Sequence, residues 1–185
     1  MKLPVPLAPL GAVPIEALRA VLPDANDPLW DQFAIRQKMM GHEATRSIAI
    51  IWGRLIAGFD DPVMFEPDYV PEAVRSAAKE CGRRVVELVG TGTITRLVLV
   101  DLPAGAEVLP HRDLAPIITM PRRCHVPVET NEFVSFVVDD IDHRLEVGQA
   151  YEFDNTRRHA VANRGATRRI HLICDVMPPA DQRGA

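Results

Sequence analysis

The sequence predicts a mainly β fold with flanking helices, closed as a double-stranded β-helix, the jelly-roll form found in cupins. Three observations carry that prediction. The second half is a succession of short β-branched and leucine-rich runs separated by turn signals. The helix-periodic segments are confined to the first half. Strands and helices do not alternate as βαβ units would require. At 185 residues the chain suits one domain with a proper hydrophobic core. The expected organisation is a single domain over 1–185, with helical and strand support in 1–92 and the jelly-roll core in 93–178.

Taken in order, Pro14 to Leu22 (PIEALRAVL) predicts a short helix with a proline near its first turn. Ser47 to Ile56 is isoleucine-rich and predicts a strand. Glu72 to Val89 has apolar residues at helical spacing and predicts the longest helix. Thr93 to Leu102 (TITRLVLVDL) predicts a strand ended by Pro103 and Gly105. Further strands are expected at Arg123 to Val128, Phe133 to Val138, Tyr151 to Phe153 and Arg169 to Val176. The 16 prolines supply many of the turn signals between them. The early helices are expected on the outside of one sheet.

Composition narrows the function classes. The net charge of -4, with arginines scattered among acids, offers no phosphate-binding stripe, so nucleic acid is not an expected partner. Three cysteines, Cys81, Cys124 and Cys174, form neither a close-spaced metal pair nor an even disulfide set. Reduced thiols and a cytoplasmic protein are expected. The apolar start, Met1 to Val13, is broken by prolines, so neither a signal peptide nor a membrane partner is expected. The oligomeric state is left open.

The chemistry begins at His111 and Asp113. They are two residues apart and face one side of an extended chain. His159 follows in the turn-rich FDNTRRHAV. Two imidazoles and one carboxylate can take one face of an octahedral ion and leave three positions open, the facial triad of non-haem Fe(II) oxygenases. H-x-D alone is weak, because a surface His–Asp pair produces the same spacing. A second constellation strengthens it. Arg169 lies ten residues after His159 and opens the run RIHLICDV. A buried arginine there needs an anion, and the distal carboxylate of 2-oxoglutarate suits a guanidinium fork. Arg123 and His125 share one face and can contact the carboxylate nearer the metal. Surface arginines paired with acids remain the competing reading of Arg123 and Arg169.

From Leu97 to Pro178, a little under half of the chain, the sequence resembles the aspartyl/asparaginyl β-hydroxylase family. PAGAEVLPHRD resembles the family's approach to its first metal histidine, here His111. RCH at Arg123 to His125 matches its R-x-H motif. GQAYEFDNTRRHAVAN matches G-x(4)-F-D-[DN]-x(3)-H-x-V around His159, and RRIHLICDVMPP matches the closing strand with Arg169. The resemblance implies Fe(II) on His111, Asp113 and His159, with 2-oxoglutarate bound by Arg169, Arg123 and His125. It further implies O2 consumption, release of succinate and CO2, and hydroxylation of a small-molecule or peptidyl amino acid. Some animal members lack the metal carboxylate. Asp113 implies a complete triad, closer to bacterial relatives that include hydroxylases of free proline. It also argues against halogenation, whereas desaturation stays open. A serine that helps hold 2-oxoglutarate in some members falls on or near Leu99 here.

The alternative is a metal-dependent cupin enzyme that keeps His111, Asp113 and His159 but does not use 2-oxoglutarate. A non-catalytic jelly-roll binding module is a third. Several residues keep two readings. His171 shares parity with Arg169 and is either a substrate contact or a core histidine. Asn155 and Arg157 line the entrance or belong to a turn at Asp154-Asn155. His42, Thr45 and Arg46 lie before an early strand, within reach of the pocket mouth. His143 is expected to be solvated. Cys124, Cys174, Trp30 and Trp52 are expected in the core.

Overall fold

The computed structural model describes residues 3–38, 41–55 and 62–182. Eleven strands are described: β1 Leu7–Ala12, β2 Arg46–Arg54, β3 Val63–Phe65, β4 Thr93–Leu102, β5 Glu107–His111, β6 Arg122–Glu129, β7 Val134–Val138, β8 Ile141–His143, β9 Gln149–Phe153, β10 His159–Asn163 and β11 Arg169–Met177. The helices are α1 Glu16–Ala20, α2 Glu72–Val89 and α3 Pro116–Thr119. The strands form a seven-stranded sheet in the order β1-β9-β6-β11-β4-β2-β3 and a four-stranded sheet in the order β5-β10-β7-β8. Their pairings are antiparallel. This is the two-sheet jelly roll with flanking helices.

α2 forms where the periodicity puts it. Val74, Ala78, Cys81, Gly82 and Val85 make one buried stripe. The helix ends at Gly90, whose φ of 103° suits glycine and lets its N–H donate to the Val86 carbonyl at 2.9 Å. Gly82 admits the sheet: a Cβ there would meet Ile94 at 3.0 Å and Leu97 at 3.2 Å. Against this stripe lies the outer face of the large sheet, with Ile48, Ile50, Leu97, Leu99, Val126, Ile170 and Leu172. Cys124 and Cys174 are register partners in this layer, and Trp30 packs there too. All three cysteines are free. The inner face packs against the small sheet through Leu102, Val108, Phe136, Phe153 and Val161. Trp52 joins Phe33, Val98, Val100 and Ile173 on that inner side.

Expectations and structure differ in instructive places. The helix expected over Pro14 to Leu22 shortens to Glu16–Ala20. The Ser47 to Ile56 strand is Arg46–Arg54, and Ile56 lies outside the described residues. β1 had no sequence signal because prolines interrupt it. It pairs on one side only, with β9, where a missing N–H is tolerated. β3, β5, β8 and β10 are three to five residues long and sit among turn residues. The first half also donates strands to the main sheet itself, since β1 pairs β9 and β2 pairs β4.

Candidate metal centre

β5 and β10 lie side by side with His111 and His159 as register partners. Asp113 follows just beyond β5, its N–H donating to the Asn155 carbonyl at 3.0 Å. The three side chains therefore converge, with one ligand atom from each lying within 4.8 Å of the others. His111 Nδ1 is 2.7 Å from the Leu109 carbonyl, and His159 Nδ1 is 2.9 Å from the Arg157 carbonyl. A carbonyl only accepts, so both Nδ1 atoms donate, which leaves Nε2 of each ring as the atom that could take a metal. His111 Nε2 is buried without a hydrogen-bond partner, as an intended ligand atom would be. Burial, with His111 adding to it, lowers the His159 pKa to about 4, so the ring is neutral at neutral pH.

Asp113 is the most elaborately supported member. Its Oδ2 accepts from Arg123 Nη1 at 2.5 Å and from Asn155 Nδ2 at 2.8 Å. Oδ1 is left facing His111, 4.0 Å from its Nε2. Burial alone would raise this carboxyl, but Arg123 and the Asn155 hydrogen bond outweigh it and hold the pKa below the usual range. Asn155 also donates to the Ile118 carbonyl at 2.6 Å. It is thus a buried strut for the carboxylate as well as part of the turn expected of it.

Arg123 differs from its expected state. Its Nε and Nη2 grip Asp175 at 2.8 and 2.7 Å, and its Nη1 takes Asp113. Each of the three guanidinium nitrogens donates to a carboxylate. Arg123 is also no surface residue, being only 6% exposed. Arg96, stacked 4.0 Å over Trp52, adds a longer contact to Asp175 at 3.8 Å. Asp175 and Arg96 were not singled out in the sequence. Their signal was parity: Asp175 shares a face with Arg169 and His171, and Arg96 shares one with Val98 and Val100.

Arg169 is in the opposite condition. It is 3% exposed and has no acid partner among the described residues. Burial lowers its pKa to about 9. Its Nη2 donates to His171 Nδ1 at 2.6 Å, and its Nε has no partner. Since arginine only donates, His171 Nδ1 is an acceptor and the proton sits on Nε2, which is also buried and unpaired. His125 Nδ1 approaches the same acceptor at 3.3 Å. Its ring is packed by Phe136 and Phe153, and burial drives its pKa well down.

The residues with two readings now divide. Leu99 points to the helices, so it cannot help Arg169. The inner positions of β4 are Val98 and Val100, and the nearby hydroxyl is on the next strand. Ser47, paired with Val100, is fully buried with its Oγ unpartnered. His42 does reach the centre, its ring 4.8 Å from that of His111. Thr45 caps the preceding turn by donating to the His42 carbonyl at 2.7 Å. Arg46 turns away to Asp101 and the Ala25 carbonyl. Arg157 pairs with Asp139 and Asp154 at the rim. His143 is half-buried on β8 rather than solvated. It lines a cavity of about 490 Å³ that also reaches His171 and Phe136.

Fold and site together define a class: a jelly roll in which two histidines and one carboxylate converge at the edge of the small sheet. The chain belongs to the aspartyl/asparaginyl β-hydroxylase family, whose model matches residues 19–179. It is therefore an oxidoreductase of a hydroxylase family. Similar solved folds include a prolyl-4-hydroxylase from Pseudomonas putida, with a TM-score of 0.57 and 12% identity over 95% of this chain and 94% of that one. A 2OG-Fe(II) oxygenase family oxidoreductase from Burkholderia pseudomallei gives 0.56 and 18% over 92% and 80%. AviO1 from Streptomyces viridochromogenes Tue57 gives 0.54 and 18% over 95% and 90%. At these identities the likeness is one of fold. No protein of curated function gives a significant match. Among the described residues, no helix is long and apolar enough to cross a membrane.

Proposed function

We propose that the chain is an Fe(II)- and 2-oxoglutarate-dependent dioxygenase that hydroxylates an amino acid or an Asp-, Asn- or Pro-type residue. The balanced reaction is substrate plus 2-oxoglutarate plus O2 to hydroxylated substrate, succinate and CO2. His111, Asp113 and His159 would hold the iron, and the two Nε2 atoms and single free carboxylate oxygen suit a divalent ion that keeps open positions. Bound there, iron and 2-oxoglutarate supply the oxidising chemistry, while the protein orients the reactants and excludes water.

The observation that carries this reading is Arg169, buried without an acid partner among the described residues and with its own Nε and His171 Nε2 unpaired. Ser47 Oγ, also unpaired, lies two strands away at the level of His171. An isolated buried charge is expensive, and a carboxylate received there would compensate it. Arg169 is the proposed anchor of the distal carboxylate, with His171 and Ser47 as candidate donors beside it. His125 would orient His171. Arg123 acts on the metal carboxylate instead of on the cosubstrate. The working unit is the single domain 1–185, with the catalytic core in 93–178 and the first 92 residues in support. A cytoplasmic protein with an amino-acid or peptide substrate is the accompanying expectation.

A cupin enzyme that does not use 2-oxoglutarate would keep the triad but leave Arg169 without an anion. Anaerobic titration of the Fe(II) protein with 2-oxoglutarate separates the two. A metal-to-ligand charge-transfer band in the visible supports the proposal. Its absence, with oxygen uptake independent of 2-oxoglutarate, supports the alternative. Asp113→Ala is expected to abolish succinate formation, and near wild-type formation would sink the triad.

A further inference from the structure

One more buried cation is left over after the site has been accounted for. Arg36, in a short 3-10 turn at Arg36–Lys38, is 6% exposed. Its Nη2 donates to His42 Nδ1 at 3.3 Å, and its Nε is buried without a partner. It forms no ion pair among the described residues. The contact to His42 places it beside the metal centre, because the His42 ring stands 4.8 Å from that of His111. Arginine only donates, so His42 Nδ1 is the acceptor and that imidazole is neutral. Arg123, Arg96, Asp113 and Asp175 are all near enough to act on Arg36 electrostatically, and it in turn acts on Arg169 and His125. It therefore faces the same interior as the other four charged side chains and Arg169.

The charges of that interior do not balance. Four guanidiniums, on Arg36, Arg96, Arg123 and Arg169, face two carboxylates, Asp113 and Asp175. Asp101 lies on the outer face and is taken by Arg46. A divalent metal and the 2-oxoglutarate dianion add charges that cancel, so the surplus of two positive charges persists in the loaded site. Geometry gives the same result. One carboxylate of 2-oxoglutarate belongs to the metal and the other to Arg169. Arg36 is left with an unpaired Nε and no cosubstrate oxygen to occupy it.

We propose that Arg36 binds a carboxylate of the substrate, so that the enzyme acts on an amino acid carrying a free carboxylate. This rests on the function proposed above and names the substrate class for the same site. Enclosure supports a small molecule: a guanidinium this deeply buried is reached by a free amino acid more readily than by a residue within a folded chain. A guanidinium fork recognises a carboxylate through two parallel hydrogen bonds, which a neutral amide cannot reproduce. The arrangement thus discriminates by charge at one end of the substrate while the metal faces the other.

The test uses the full-length protein loaded with Zn(II), which is redox-inert, and saturated with 2-oxoglutarate. The common amino acids are titrated calorimetrically, first as free acids and then as α-carboxamides. At least one free acid is expected to bind, with its carboxamide about tenfold weaker or worse. Arg36→Met should remove that difference, and Arg36→Lys should keep part of it. The carboxamide of aspartate, retaining its side-chain carboxylate, tells the two sources apart: full binding by it alone assigns the recognised group to the side chain. Equal binding of acids and amides overturns the proposal, and this comparison needs no variant. So does unchanged acid binding by Arg36→Met, or no binding by any acid. The preceding 2-oxoglutarate titration reports separately on the cosubstrate. If it fails while acids still bind through Arg36, the 2-oxoglutarate reading falls and the carboxylate site stands.

Discussion

Asp175→Asn perturbs the support of Asp113, the proposed metal carboxylate, without altering His111, Asp113 or His159 themselves. The Asp175 carboxylate is fully buried and takes two hydrogen bonds from Arg123, at 2.8 and 2.7 Å. Removing one partner of a buried ion pair costs about 3–5 kcal/mol, because a charge is left uncompensated. Asparagine keeps the volume and one acceptor, and Arg123 keeps Asp113, so the expected loss is about 2–3 kcal/mol. For a domain of this size that lowers Tm by about 5–10 °C. Arg123 would also lose the anchor that aims its Nη1 at Asp113, so metal affinity should fall by about 10–100-fold, as for other groups that orient metal ligands. Scanning calorimetry of the metal-free protein and competitive metal titration measure the two effects. A Tm within about 2 °C of wild type together with an unchanged metal Kd would refute the reasoning, given that cost.

Two further outcomes are expected. Ser47→Ala should raise the KM for 2-oxoglutarate several-fold with little change in the Tm of the metal-free protein, since the Oγ has no partner to lose; a large fall in Tm with an unchanged KM would assign Ser47 to packing. His125 and His171 are buried with pKa values held well below 6.5, chiefly by desolvation. The unfolded chain therefore binds their protons first, and stability is present above pH 6.5 and lost as pH falls below it. Together they should destabilise the fold progressively as pH falls from 7 to 5.5, read as a drop in the Tm of the metal-free protein that His171→Gln makes smaller.

Much of the fold was legible because the large sheet advertises itself. α2 and β4 occupy the expected residues, since a periodic stripe and a long β-branched run are strong local signals. The small sheet was nearly silent: β5 and β10 are five residues each and lie beside the very turns that aim His111 and Asp113 inward. In the site, spacing and family motif brought forward His111, Asp113 and His159, whose side chains converge. They did not reveal what those residues lean on. That Arg123 is gripped by Asp175, more than fifty residues away in sequence, has no local signal. Arg36 had no sequence signal, because its short turn has no periodicity and its burial depends on residues distant in sequence.

The position of β11 bears on when the metal centre can exist. This strand lies between β6 and β4 in the middle of the large sheet and carries both Arg169 and Asp175. During synthesis all three triad residues leave the ribosome before it does. Until residue 177 is available, β4 and β6 have no neighbour between them, and Arg123 has no Asp175 to fix it beside Asp113. Long-range pairings of this kind close late in folding. The support that Arg123 gives Asp113 is thereby postponed until β11 has been made and inserted, so the three side chains are not held in place while the sheet is half built.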